Sequence, residues 1–180
     1  MRLPNNLSPE DEKKFKDIYA GISSESRIKE SAKNMQHGST SVLKHSIAVA
    51  YTSFYLVRKL KLHVNEHDLI RGALLHDYFL YDWHNYDNNE HRLHGFFHPG
   101  VALRNAKQDF SDLSEVEQDM IKKHMFPLTL KPPKYIESWV LCIADKYCSS
   151  KETAEGIYDR LFAKEKNDKE RSIKHERKSE

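Results

Sequence analysis

A chain of 180 residues that is 38% apolar and 31% charged can build one hydrophobic core under a polar surface and is short for two domains. Six glycines and six prolines exclude a collagen-like or linker-rich chain, and at a mean hydropathy of -0.77 no apolar run approaches a membrane span. Lys and Arg number 29 against 27 Asp and Glu, and the stretch 164–180 holds 7 of the basic and 5 of the acidic residues, leaving 22 of each elsewhere, so no basic nucleic-acid face is indicated.

Ser8 as N-cap, Pro9 at the first helical position and Asp11 and Glu12 in the first turn predict a helix from Pro9 to Ala20. Ser24 to Met35 is a weaker helix. From Ser41 to Leu62, the residues Leu43, Ile47, Ala50, Phe54, Val57 and Leu60 recur at steps of three and four, which is one apolar helical face. Asn65 caps a helix that the pattern carries to about Phe79 on the stripe Leu69, Ile70, Ala73 and Leu74. Tyr81 to Leu93 reads as a polar and aromatic loop. Pro99 to Phe110 is helical, and Ser114 with Glu117 forms a capping-box pattern for a helix ending near His124. After Pro132 and Pro133, one helix runs from about Lys134 to Ser149 and a last one from Glu152 to Ala163. Nothing reads as paired strands. The expected class is all-α, one bundle of about six or seven helices. Its parts are a helical extension over 1–36, a helical domain over 37–163 and a charged tail over 164–180, frayed or disordered. The opening MRLPNNLSPEDEKK lacks an apolar signal core, so a cytoplasmic location is expected. Cys142 and Cys148 lack a CxxC spacing and read as reduced thiols.

Histidine is over-represented, with 11 in the chain and five between His76 and His98. Several polar residues stand where the helical pattern asks for apolar ones. Asp145 follows WVLCIA and shares a face with Leu141 and Cys142. Asp77 lies three residues after Leu74 and seven after Ile70, with His76 beside it. His124 lies three residues after Ile121, and His45 flanks the face led by Leu43. A buried carboxylate is costly unless it is paired or binds a metal. A single His-Asp dipeptide says little, since chance alone gives about 0.7 in such a composition. His67-Asp68, the second one, sits in a first turn after Asn65 and reads as structural. Taken jointly, His45, His76, Asp77, His98, His124 and Asp145 form an imidazole and carboxylate set spread over five helices or helix ends. That is a ligand set for divalent transition metals, of the kind that helical bundles project into one core site. Six ligands suit two ions that share one carboxylate.

The ordered set, with the local strings LKHSIAVA, RGALLHD, HPGVALRNA, IKKHM and CIADK, resembles the HD-domain metal-dependent phosphohydrolase superfamily over roughly residues 37 to 150. The resemblance implies the all-α fold. It implies that His45, His76, Asp77 and Asp145 hold a first metal, that Asp77 bridges, and that His98 and His124 complete a second. Many relatives continue the His-Asp pair with Ile-Gly-Lys, whereas this chain reads HDYFLYDWH, so no lysine carries over from that motif. His94 competes with His98 for one ligand role. His98 is preferred because PGVALRNA after it starts a helix.

The expected function is hydrolysis of a phosphoester or phosphoanhydride of a small substrate, a nucleotide being the favoured class. The cofactors would be two divalent ions, Fe, Mn, Co or Ni, with Mg or Zn as alternatives. Asp77, His94 and Lys146 are the catalytic candidates, and His84 and Arg71 are further candidates for a leaving-group proton or a phosphate contact. HGSTS ahead of His45 offers either backbone N–H groups to an anion or plain N-capping. The aromatics Tyr78, Phe79, Tyr81, Trp83, Tyr86, Phe96 and Phe97 would either stack on a nucleobase or form a small satellite core. Two other functions stay open on the same ligand set: a two-iron oxygenase, and a non-catalytic metal- or nucleotide-binding regulatory protein. No membrane partner is expected, and a homo-oligomer stays open.

Overall fold

The computed structural model describes residues 7–37, 40–81 and 94–176, with side chains for all of these except His37, His94 and residues 158–176. Its first helix, α1 (Pro9–Glu25), starts as its residues dictate, with Ser8 Oγ accepting from the N–H of Asp11 at 3.1 Å. It continues past Ala20 and then yields to a 3₁₀ helix over Ile28–Lys33. The weak helix expected over Ser24 to Met35 is thus divided at Arg27. There the backbone N–H donates to Asp109 Oδ2 at 3.1 Å and the guanidinium Nη2 to Asp109 Oδ1 at 2.8 Å. A tertiary bond takes the N–H that a continuing helix would use.

The expectation of no paired strands is corrected by a small antiparallel pair, β1 (Met35–His37) and β2 (Thr40–Ser41). Strands of three and two residues are too short for alternation to show in sequence. Ser41 also caps α2 (Val42–Leu60), accepting from the N–H of Lys44. That helix closes with Lys61 in the left-handed region at φ 52°, and the N–H of Leu62 reaches back to the carbonyl of Val57 at 3.0 Å. Its apolar face is buried at Ala50, Phe54 and Val57, while Leu60 at the end is 60% exposed.

Asn65 accepts from the N–H groups of His67 and Asp68 and starts α3 (Glu66–Leu75). Leu69, Ile70, Ala73 and Leu74 are all buried. The helix stops at Leu75, four residues earlier than the pattern suggests, and Tyr78 turns its hydroxyl to donate to Asp109. α4 (His94–Asp109) begins upstream of Pro99 and contains it. α5 (Glu115–Lys123) carries the full capping box: Ser114 Oγ accepts from the N–H of Glu117 at 3.2 Å, and Glu117 Oε2 accepts from the N–H of Ser114 at 2.8 Å. Ser114→Ala is expected to cost about 1 kcal/mol in denaturant unfolding. An unchanged midpoint would show that the box adds nothing to tertiary packing.

The two helices expected after Pro133 form one, α6 (Ile136–Glu176), of 41 residues. Neither Pro nor Gly interrupts Ser149 to Glu152, and Ser149 Oγ donates to Asp145 Oδ1 at 3.2 Å across one turn. The backbone remains helical into the charged stretch from Lys164. α2 packs against α3 and α6, and α3 against α5. The core runs through Phe54, Leu69, Ile70, Leu74, Met120, Ile121 and Leu141. Gly72 lets α3 approach α5 closely, since a Cβ there would stand 2.7 Å from Met120 Sδ. This brings the ends of both helices together. Among the described residues, no helix is long and apolar enough to cross a membrane.

Candidate metal centre

Five helices or helix ends deliver polar side chains to one buried volume. His45 comes from the first turns of α2, His76 and Asp77 follow the last residue of α3, His98 lies in α4, His124 follows α5, and Asp145 lies in α6. All six are buried, with 0% exposure for His45 and His76 and 8% for Asp145 at the other extreme. The apolar stripes explain this placement. Leu74 and Ile121 face the core, and a residue three positions further on a helix faces the same way.

Asp77 lies at the centre and its two oxygens face different partners. Oδ1 is 3.1 Å from His98 Nε2 and 3.4 Å from His124 Nε2. Oδ2 is 3.4 Å from His76 Nε2 and 3.7 Å from His45 Nε2. Asp145 Oδ1 lies 3.1 Å from His45 Nε2 and 3.8 Å from His76 Nε2. His98 Nε2 and His124 Nε2 are 2.7 Å apart.

The outer ring nitrogens settle the tautomers. His76 Nδ1 donates to the carbonyl of Ala73 at 2.8 Å, and His124 Nδ1 donates to the carbonyl of Ile121 at 2.8 Å. His45 Nδ1 lies 3.0 Å from Glu152 Oε2. With its proton on Nδ1, a neutral imidazole turns its Nε2 lone pair inward, as a metal ligand must. Two inward atoms, His76 Nε2 and Asp77 Oδ1, are buried in these ion-pair contacts but make no well-directed hydrogen bond. Such atoms are rare in folded proteins and signal an unfilled requirement.

The electrostatics agree. Burial alone would push the Asp77 carboxyl up, but the adjoining His76, His124 and His98 hold it well below the ordinary carboxylate range. Burial is likewise overridden at Asp145, which is lowered by its hydrogen bond to His45 and by the charge of His76. Burial lowers His124. It also acts to lower His45, yet the bonds to Asp145 and Glu152 push that imidazole up to about 10. A divalent cation would displace such protons, because ligand imidazoles bind as lone-pair donors. His45, His76 and Asp145 each present an atom within 4.8 Å of the others, as do His76, Asp77 and His124. Both groups could hold a metal ion, and imidazole with carboxylate is chemistry suited to divalent transition metals. His67, Asp68 and Glu117 are also close together, but Glu117 is taken up by Arg71.

The other sequence candidates are placed differently. Lys146 Nζ donates to the carbonyls of His124 at 3.3 Å and Cys142 at 3.4 Å, on the main chain of the α5 end. Arg71 is committed to Glu117 and Asp112. That pairing corrects its candidacy as a phosphate contact. Tyr78 and Phe79 belong to the core, the Phe79 ring centroid lying 5.6 Å from that of His98, edge-on. Phe96 and Phe97 are exposed. The side chain of His94, together with Trp83, His84, Tyr86 and Ser39, lies outside the described residues.

Two participants escaped the sequence. Gln36, on β1, donates Nε2 to Asp77 Oδ2 at 2.6 Å, and nothing in its local sequence marks it. Glu152 does carry a signal, since it lies seven residues, two helical turns, after Asp145.

A family model described as HD domain matches residues 42–149, more than half of the chain. No curated protein matches the chain, and no solved structure does.

Proposed function

The chain belongs to the HD-domain family, and on that premise we propose that it is a metal-dependent phosphohydrolase of a small phosphorylated substrate, with a nucleotide as the expected class. The observation that carries this reading is the convergence of His76 Nε2 and Asp77 Oδ1, buried in ion-pair contacts but without a well-directed hydrogen bond, inside a cluster where the outer nitrogens of His45, His76 and His124 are already tied down. Buried imidazole and carboxylate atoms converging in this way suit a divalent cation. We assign His45, His76, Asp145 and Asp77 Oδ2 to one metal position, and Asp77 Oδ1, His98 and His124 to a second.

Bound divalent cations would supply Lewis acidity, charge neutralisation at a phosphoryl group and a water of near-neutral pKa. The chain's own residues do the rest. Asp77 turns one oxygen toward His98 and His124 and the other toward His76 and His45, so it would offer a ligand atom to each position. Ala73 and Ile121 hold the Nδ1 protons of His76 and His124 through their carbonyls, so neither ring can flip. Gln36 pins the Asp77 carboxylate from outside. Lys146, held at the carbonyl of His124, places a cation on the α5 and α6 side. It and His94 are the proposed sources of a proton for the leaving group. Of the aromatics between residues 76 and 98, Tyr78 and Phe79 belong to the core, and the exposed Phe96 and Phe97 are the ones that support a nucleobase-bearing substrate.

The test is metal analysis of the purified protein, then a screen of p-nitrophenyl phosphate esters and nucleotides with Mn, Co, Ni, Fe and Mg, with oxygen consumption followed in parallel. Phosphate release that requires metal and stops with chelator is expected. Oxygen uptake by an iron-loaded protein without phosphate release would identify an oxygenase instead. Metal binding without either reaction would leave a regulatory binding protein.

A further inference from the structure

The imidazoles of the cluster are not held alike. His76 and His124 rest on neutral main-chain carbonyls, whereas His45 Nδ1 meets a carboxylate, Glu152 Oε2, from 107 residues away in the chain. Glu152 is 2% exposed, and its Oε1 is buried without a hydrogen-bond partner. It lies beyond the segment that matches the HD domain. A fully enclosed carboxylate with an idle oxygen is unfavourable for folding, so packing alone gives no reason for it.

We propose that Glu152 is a positioning residue that makes the His45–His76–Asp145 half of the cluster the tighter of two unequal metal positions; this rests on the metal-site reading above. A carboxylate behind a ligand imidazole holds the proton on Nδ1, aims the Nε2 lone pair and increases its basicity. The Nε2 so aimed faces Asp145 Oδ1 at 3.1 Å and Asp77 Oδ2 at 3.7 Å. This half therefore gathers three carboxylates, two facing the ion and one behind the ring. Among the described residues, the other half has Asp77 Oδ1 with His98 and His124, and the ring of His124 is backed by a neutral carbonyl. Opposite charge close to a divalent ion inside a protein is weakly screened, so the two halves differ in affinity. The weaker position is then the one that exchanges.

The experiment loads the full-length protein with Co²⁺ and challenges it with graded chelator, reading retained cobalt by elemental analysis and ligand field by visible absorption. Wild type is expected to lose cobalt in two steps. Glu152→Ala should weaken the more tightly held step about 10–100-fold, the range for outer partners of metal ligands, and leave the other step in place. Glu152→Gln accepts the same Nδ1–H without the charge and should recover part of the loss. If Glu152→Ala fails to fold, Glu152→Gln decides: it must weaken the tight step selectively. Wild type that takes up no cobalt would sink the metal-site reading itself. Two-step release unchanged in both variants, or both steps weakened alike together with an equal fall in metal-free melting temperature, would overturn the role of Glu152 alone.

Discussion

Asp77→Ala is expected to lose metal binding and phosphohydrolysis together, with kcat/KM falling to below roughly a hundredth of wild type, or more than about 2.7 kcal/mol of transition-state stabilisation. The reason lies in the division of its oxygens. Oδ1 faces His98 and His124, and Oδ2 faces His76 and His45, so one substitution would strip the proposed ligand from both halves. It also leaves His76 and His124 packed edge to face, with centroids 4.9 Å apart, without the anion between them. Cobalt content and phosphate release measured on the same preparation check the coupling. Activity above about a tenth of wild type, or full metal content without activity, would contradict a shared carboxylate.

The largest expected effect on folding lies outside that cluster. Arg71→Ala should cost about 3–5 kcal/mol in urea unfolding, because Glu117 would stay in the interior without its cation. Glu117 has 0% exposure and accepts from Arg71 Nε and, at 2.8 Å, from Nη2. The same carboxylate closes the capping box on Ser114, so the pair ties α3 to the start of α5. These two helices lead directly into His76 and His124. Replacing both partners with apolar residues of similar volume, as in Arg71→Met with Glu117→Leu, should recover most of the loss, since the desolvation cost leaves with the charges. A cost under about 1 kcal/mol for Arg71→Ala would mean that the pair behaves like an exposed salt bridge.

How much of this was readable beforehand depended on whether the signal was local. Ser8, Asn65 and Ser114 mark helix starts through short-range hydrogen bonds, and each caps the helix its sequence suggests. The stripes through Ile70, Leu74 and Ile121 identify an inward face, which is why Asp77 and His124 stood out as polar residues in apolar places. The end of α3 was not readable. Tyr78 and Phe79 continue an apolar pattern, but both are buried by turning out of the helix, Tyr78 toward Asp109. Gln36 was invisible because its position depends on a strand pair of a few residues. Glu152 was read only as the start of a separate last helix, which hid its place two turns after Asp145. Its role requires knowing that α6 continues unbroken past Ser149 and that α2 lies alongside.

His76 and His124 each occupy the first position past a helix, and each takes its orienting bond from the carbonyl three residues earlier. Carbonyls in the last turn of any helix lack an intrahelical N–H. The acceptor therefore comes with the helix end itself, whatever side chains Ala73 and Ile121 carry. Inheritance of these two ring orientations asks little more than a histidine after a helix that stops on time, so drift in neighbouring side chains leaves them intact. His45 sits near the start of its helix, where the carbonyls are already engaged, and it borrows its acceptor from Glu152. The rings of His76 and His124, one in each half of the cluster, are thus buffered against mutation by the main chain. The orientation of His45 can be altered by a single codon far away in the gene, and variation between descendants of this sequence is expected to concentrate there.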